Sequence, residues 1–129
     1  VKLIDDRGYG LFAVELKSTH EFIGLIGLHT PDYLPFSPCT EIGWRLDKKF
    51  WKRGYATEGA SAVLSFAFDT LGRRDVVAFT SAINLPSVAV MKRIGMRHSP
   101  EEDFDHPKIE RGHKLCRHVL YRISNPNPR

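Results

Sequence analysis

The chain has 129 residues, of which 42% are hydrophobic and 26% charged, with a formal net charge of +4. This length suits one domain with a core of its own, and the composition is that of an ordinary soluble globular protein. No apolar run approaches the ~18–20 residues that span a bilayer, and charges interrupt residues 1–7 too early for a signal peptide. The positive charge suits an anionic ligand, but it is too small to indicate nucleic acid by itself.

Cys39 and Cys116 are the two cysteines of the chain. Two cysteines close at most one bridge, and their context does not resemble the disulfide framework of a small secreted protein. Both are therefore predicted to be free thiols in a cytoplasmic protein.

The first half of the chain is predicted to form strands. Residues 11–16 alternate between apolar and polar, and residues 22–28 are nearly all apolar after a polar turn at 18–21, which predicts a β-hairpin. Residues 41–46 alternate again and predict a third strand with two distinct faces. One face carries Ile42, Trp44 and Leu46, and the other carries Glu41, Gly43 and Arg45.

Helical periodicity begins at residue 56. Residues 56–71 place apolar side chains at intervals of three and four, and Gly72 supplies a natural C-terminal stop. Residues 76–79 are a short β-rich apolar run, typical of a buried strand. Asn84 is suited to cap a second helix that ends at Gly95. That helix is predicted to turn Val88, Met91 and Ile94 inward.

A last strand is predicted over residues 115–123, followed by a disordered tail at 124–129. The order is β-β-β-α-β-α-β, without an internal repeat or a linker, so residues 1–129 are predicted to form a single domain. Helices alternate with strands only in the second half, which predicts a mixed sheet flanked by helices, in the α/β or α+β class. The predicted inner face of the last strand carries Leu115, Val119, Tyr121 and Ile123.

The segment between the third strand and the first helix has the chemistry of an anion site. A loop that enters a helix presents unpaired N–H groups at the positive end of the helix dipole. Gly54 allows close approach of a phosphate, and Lys52 and Arg53 add positive charge. A diphosphate fits this arrangement, although a plain basic loop before a helix remains the alternative. The segment is neither a Walker loop nor a dinucleotide fingerprint.

Two segments carry a family resemblance. Residues 53–58, Arg-Gly-Tyr-Ala-Thr-Glu, resemble the acetyl-CoA pyrophosphate loop of the GNAT acetyltransferases, most of all the branch similar to RimJ and RimL. Residues 84–96 resemble the second signature of that family, and residues 41–44 resemble the strand before the loop. The resemblance implies a mixed, mostly antiparallel, twisted sheet flanked by helices. It also implies an N-acetyltransferase that moves acetyl from acetyl-CoA to a protein N-terminus or a small amine by direct attack, without a metal.

The resemblance assigns roles to particular residues. Glu41 would be the general base and Ser87 the acid near the sulfur. The alternative for Glu41 is an exposed strand carboxylate, and for Ser87 a helix residue that bonds the backbone. Burial of Glu41 would raise its pKa toward neutrality. The residues implied to bind acetyl-CoA are Trp44, Leu46, Lys52, Arg53, Gly54, Tyr55, Ala56, Thr57, Asn84 and Ser87.

The chain departs from the family pattern at three places. Met91 stands where many members have a tyrosine acid, and Trp51 stands where a Gln or Arg often opens the loop. The family usually has a strand and two helices before the hairpin, so these N-terminal elements are expected to be missing here.

Two other functions and one further property follow from these features. A catalytically inactive acyl-CoA-binding module would keep the loop and tolerate Met91, whereas a nucleic-acid-binding domain would need an aromatic platform that the sequence lacks.

An uncovered sheet edge would allow a homodimer. A metal site at Asp103, Asp105, His106 and Glu110 matches no structural zinc spacing.

Overall fold

The computed structural model describes residues 1–5, 11–31, 33–35 and 39–127. Its strands are β1 (Lys2–Asp5), β2 (Leu11–Glu15), β3 (Phe22–His29), β4 (Glu41–Leu46), β5 (Asp75–Ser81), β6 (Arg97–His98), β7 (Phe104–Asp105) and β8 (Arg117–Ser124). Its α-helices are α1 (Tyr55–Ser65) and α2 (Leu85–Arg93). The strands form one sheet in the order β1-β2-β3-β4-β5-β8-β6, with β7 beside β8.

The sheet is mixed and mostly antiparallel, which confirms the predicted fold class. The predicted hairpin forms between β2 and β3, and β4 continues the antiparallel order beside β3. Within the described ranges, the pairing of β4 with β5 is the parallel one. Parallel neighbours need a crossover connection, and α1 supplies it here.

Three strands were not predicted. β1 pairs with β2 along its whole length, from Lys2 opposite Glu15 to Asp5 opposite Phe12. This four-residue edge strand has a charged residue at each end and only two apolar residues between them. No alternation of apolar and polar residues is therefore visible in the sequence. β6 and β7 have two residues each, which is too short for any periodicity to show.

The main core lies between α1 and the sheet. Ala60 and Val63 of α1 are completely buried, as are Val14 and Ile26 of the sheet. A Cβ at Gly59 would lie 2.4 Å from Cδ1 of Ile26, so the glycine lets α1 pack against β3 with this side chain in place.

The first helix does not remain α-helical to residue 71 as predicted. Its last turn, Phe66–Thr70, is π-helical, and the N–H of Leu71 bonds the carbonyl of Phe66 five residues earlier at 3.1 Å. One extra residue in that turn rotates Leu71 away from the apolar face of the helix. Leu71 has helical spacing in the sequence, but it is 40% exposed in the structure.

The C-terminal strand also differs from its prediction. It begins at Arg117, and Leu115 lies before it with 39% of its surface exposed. Leu120 on the opposite face is fully buried, because both faces of the sheet are covered at this strand. Ser124 ends the strand, and the amide of buried Asn125 donates to the carbonyl of Arg73 at 2.9 Å.

The disordered tail was therefore predicted to begin too early. Ser124 and Asn125 are held by the sheet and by the loop before β5, while residues 128–129 lie outside the described residues. Cys39 and Cys116 are both free thiols, as predicted. No helix in the described ranges is long and apolar enough to cross a membrane.

Candidate active site

The parallel neighbours β4 and β5 stay together over one residue pair. Glu41 is in register with Val77, and the N–H of Val77 donates to the carbonyl of Thr40 at 2.8 Å. β4 continues to Leu46 and β5 to Ser81 without a further registered pair. The two strands therefore separate beyond Glu41 and leave a wedge between them.

The backbone of β4 presents polar groups to this wedge. The N–H of Asp47 donates to the carbonyl of Ile23 at 2.9 Å, in line with the register of β3 and β4. Bonding alternates along an antiparallel pair, so every second residue of β4 bonds β3. The N–H and C=O groups of Trp44 and Leu46 belong to the other set and point toward β5.

A groove of about 1320 Å³ occupies the wedge and continues to the first turns of both helices. It brings together all of the residues that the sequence singled out for acetyl-CoA and for catalysis. They are Glu41, Trp44, Leu46, Lys52, Arg53, Gly54, Tyr55, Ala56, Thr57, Asn84 and Ser87.

The loop between β4 and α1 is shaped by two residues with positive φ. Lys52 has φ 62° and Gly54 has φ 81°, and Gly54 is the N-cap of α1 without any side-chain cap. Within the part of the chain that the structure describes, no side chain therefore caps the first N–H groups of α1. A Cβ at Gly54 would meet no described atom within 4 Å, so the space beside this residue is open.

The indole of Trp51 attaches this loop to the end of β4. Its Nε1 donates a hydrogen bond to the carbonyl of Leu46 at 2.9 Å. In the sequence, Trp51 stands out only as a departure from the family pattern, and this hydrogen bond is not predicted. A bond between residues five apart across a turn has no periodic signal that could have revealed it.

Thr57 in the first turn of α1 has an unusual environment. Its hydroxyl oxygen is buried without a hydrogen-bond partner among the described residues. Buried hydroxyls are rarely left unpaired, and such a group at a groove wall is suited to meet a polar ligand. The sequence predicted Thr57 as a contact through its place in the loop, not through this property.

The opposite wall of the groove is the beginning of α2. The side-chain oxygen of Asn84 accepts from the N–H of Ser87 at 3.4 Å, and its amide donates to the hydroxyl of Thr80 at 3.0 Å. Asn84 thus caps α2, as predicted, and also ties it to β5. Ser87 and Met91 line the groove, and Met91 is 2% exposed.

Glu41 lies where β4 and β5 begin to separate, at the inner end of the groove. Burial raises the pKa of its carboxyl from the usual 4.5 to about 7. Desolvation disfavours the charged carboxylate, so the group exchanges its proton near neutral pH. The sequence-based expectation of a raised pKa thus agrees with the structure.

Comparisons with known proteins agree with this geometry. The acetyltransferase (GNAT) domain family matches residues 2–97. A protein of Aspergillus fumigatus, named FsC-acetyl coenzyme A-N(2)-transacetylase, is 37% identical over 95 residues, which cover 68% of this chain and 40% of that protein. A GNAT-family acetyltransferase structure from Bacillus anthracis is 30% identical, with a TM-score of 0.75 over 93% of this chain and 69% of the other.

A ribosomal-protein-S5-alanine acetyltransferase from Vibrio fischeri has a TM-score of 0.76 over 92% of this chain and 63% of its own. At 18% identity this likeness shows a shared fold, and it does not show a shared substrate or branch of the family. The family match covers most of the chain, so the chain belongs to the GNAT acetyltransferases, enzymes that use acetyl-CoA. It spans 40% of the length of the fungal relative.

Proposed function

We propose that this protein transfers the acetyl group of acetyl-CoA to a primary amine by direct attack within a ternary complex. The single observation that carries the proposal is the groove between β4 and β5. It places a helix N-terminus, an unpaired strand edge and the titratable carboxyl of Glu41 along one continuous surface. These are the three parts that an acetyl transfer from a CoA thioester requires.

The loop before α1 is proposed to bind the diphosphate of the coenzyme. Three features fit that group: the N–H groups after Gly54, which no described side chain caps, the exposed side chains of Lys52 and Arg53, and the hydroxyl of Thr57, which has no partner among the described residues. Anions are stabilised at a helix N-terminus because the donors and the dipole act together. Tyr55 and Ala56 complete this first turn.

The backbone of Trp44 and Leu46 is proposed to bind the pantetheine arm. The amide groups of pantetheine have a spacing similar to that of an extended peptide. The arm can therefore pair with the open edge of β4 as a further strand would. The carbonyl of Leu46 already accepts from Trp51, and a carbonyl oxygen has a second lone pair for another donor.

Glu41 is proposed to take the proton that the attacking amine must lose. The nitrogen–carbon bond forms, the carbon–sulfur bond breaks, and the sulfur leaves as a thiolate. Ser87 is proposed to give its hydroxyl proton to that sulfur and to regain one from solvent, since it lines the groove beside the Asn84 cap. A carboxyl with a pKa of about 7 is available as a base at neutral pH.

The acceptor is proposed to be a protein N-terminal amine or a small amine. The loop at residues 53–58 is similar to that of the RimJ and RimL branch, which supports the first of these. The fungal relative, by its name, acts on an N(2) nitrogen, which supports the second.

Calorimetric titration with acetyl-CoA tests the cofactor site. Gly54→Glu places a negative side chain where the diphosphate is proposed to bind and should abolish binding. Gly112→Glu is a matched control, because Gly112 also has a positive φ, of 86°, and lies outside the groove. A Cβ at Gly112 would likewise meet no atom within 4 Å. Equal affinity in both variants would remove the basis for the loop assignment.

Turnover tests the rest of the proposal. The unmodified protein should release coenzyme A when an amine is added to its acetyl-CoA complex. Binding of acetyl-CoA without release on any amine of a broad panel would contradict catalysis while leaving the cofactor site in place.

A further inference from the structure

A second groove, of about 890 Å³, lies against the first. The two share Glu41, Gly43, Trp44 and Arg45 as a common wall. The second groove continues over β3 and reaches Arg73, which lies between the π-helical turn and β5. A molecule in this second groove therefore has access to Glu41 from outside the coenzyme groove.

The charge of this second groove is unbalanced. Arg45 and Arg73 both line it, and Glu41 is the single acidic residue among its described lining residues. Neither guanidinium group takes part in an ion pair or a hydrogen bond between described residues. Both guanidinium groups are thus available to a ligand.

A third cation lies at the rim. The ammonium of Lys108 is 3.9 Å from the centre of the ring of Tyr33, and Tyr33 lines the second groove. Positive charge thus surrounds the approach to Glu41 on this side. A polyamine would bring further positive charge against it, whereas an anionic group would be attracted.

We propose that the acceptor is an amine that carries a carboxylate or similar anionic group, held in the second groove by one of two arginines, Arg45 or Arg73, which lie on opposite sides of Glu41 along the strand direction. The inference rests on the proposed function, since it defines which amine the acetyl group reaches. Guanidinium groups bind carboxylates through paired hydrogen bonds in a fixed geometry. Each arginine is four residues along the chain from the Glu41–Val77 pair and thus up to about 13 Å from it along the strand direction, so one short amino carboxylate reaches only one of the two.

Three amines with the same four-carbon chain test the proposal: γ-aminobutyrate, butylamine and putrescine, which end in a carboxylate, a methyl group and an ammonium. Coenzyme A release at saturating acetyl-CoA gives kcat/KM for each. We expect γ-aminobutyrate to exceed butylamine by about tenfold or more, as one charge-assisted contact provides, and putrescine to be the poorest. A ranking with putrescine or butylamine first overturns the proposal and leaves the acetyltransferase function intact.

Variants assign the preference to one of the two arginines. Either Arg45→Gln or Arg73→Gln should lower the ratio of kcat/KM for γ-aminobutyrate over butylamine, and the variant that does so identifies the arginine that holds the carboxylate. Arg111→Gln is the matched control, since Arg111 is exposed and lines neither groove, and it should keep the ratio. A ratio that neither groove variant changes also overturns the proposal.

A binding measurement keeps the inference testable if no amine is acetylated, an outcome that would contradict the proposed function. Glutarate, a dicarboxylate without an amine, is titrated into the protein and followed by NMR. Shifts of the backbone amide signals of Thr40 and Gly43, which line this groove, would support the anion site if they are lost in the double Gln variant. Absence of such shifts in the parent protein would overturn it.

Discussion

The indole Nε1 of Trp51 donates a hydrogen bond to the backbone carbonyl of Leu46 at 2.9 Å. The bond joins the two parts of the proposed coenzyme site, because Leu46 ends β4 and Trp51 begins the loop before α1. It holds the loop in place while Lys52 adopts a positive φ of 62°. Trp51 is thus a positioning residue for the proposed diphosphate site.

Replacing Trp51 with phenylalanine should weaken acetyl-CoA binding about two- to tenfold, the worth of one hydrogen bond. The substitution keeps an aromatic ring and removes the donor. Calorimetry with acetyl-CoA measures the effect, and S-acetylpantetheine serves as the control because it lacks the diphosphate. An equal loss for both ligands, or no loss for either, would contradict the positioning role.

The pH dependence of activity should follow Glu41. The base acts as a carboxylate, so kcat/KM should rise with pH through about 7, the pKa to which burial raises this group. Glu41→Gln should lower kcat/KM by about 100-fold or more and remove that rise. Glu101→Gln, at an exposed carboxylate outside both grooves, should keep the profile.

The same burial should lower stability at high pH. A carboxyl whose pKa rises from 4.5 to about 7 on folding binds its proton more tightly in the folded state. Stability is then unaffected below pH 4.5, falls between pH 4.5 and 7, and stays lower above that range by up to about 3 kcal/mol. Glu41→Gln should therefore raise Tm at pH 8 and leave it nearly unchanged at pH 4, as followed by circular dichroism. If the variant and the parent have the same Tm at pH 8 as well as at pH 4, the charge of Glu41 is not buried.

Thr57 should show opposite effects on stability and on binding. Its hydroxyl is buried without a partner among the described residues, so Thr57→Val should stabilise the free protein by about 1 kcal/mol. The same change removes a proposed polar contact and should weaken acetyl-CoA binding. Thr57→Ser retains the hydroxyl and should bind like the parent. Urea unfolding and calorimetry provide the two measurements, and unchanged affinity in the valine variant would rule out the contact.

Asn84 should stabilise the folded protein through both its side-chain oxygen and its side-chain nitrogen. Asn84→Ala loses the cap of α2 and the bond to Thr80, and should lower the free energy of unfolding by about 1 to 2 kcal/mol. Asn84→Asp keeps the acceptor for the N–H of Ser87, so its loss should be smaller. Thr80→Val removes the other partner and should resemble the aspartate variant. Equal losses in the alanine and aspartate variants would show that the cap itself contributes little.

The sequence was most informative where local chemistry decides the structure. The alternation at Phe12 and Val14 predicted the hairpin, and Asn84 and Gly95 predicted both ends of α2. The motif at residues 53–58 predicted the residues of the proposed coenzyme site, and the groove then brought them together. Caps, turn glycines and side-chain periodicity depend on neighbours along the chain, and a sequence displays these directly.

Other features depended on contacts between distant segments. The π-helical turn at Phe66–Thr70, the edge strand β1 and the buried Asn125 have no local signal that distinguishes them. The bond of Trp51 to Leu46 and the unpartnered hydroxyl of Thr57 likewise emerge only after packing.

By itself the sequence determined the class of fold, the family and the residues proposed for the coenzyme, because each of these is encoded in short segments. The tertiary structure decided that β4 and β5 meet at Glu41 and Val77 and then separate. It also decided the pKa of Glu41 and the second groove with Arg45 and Arg73. Burial and charge balance are sums over residues far apart in the chain, so they exist only once the chain has folded.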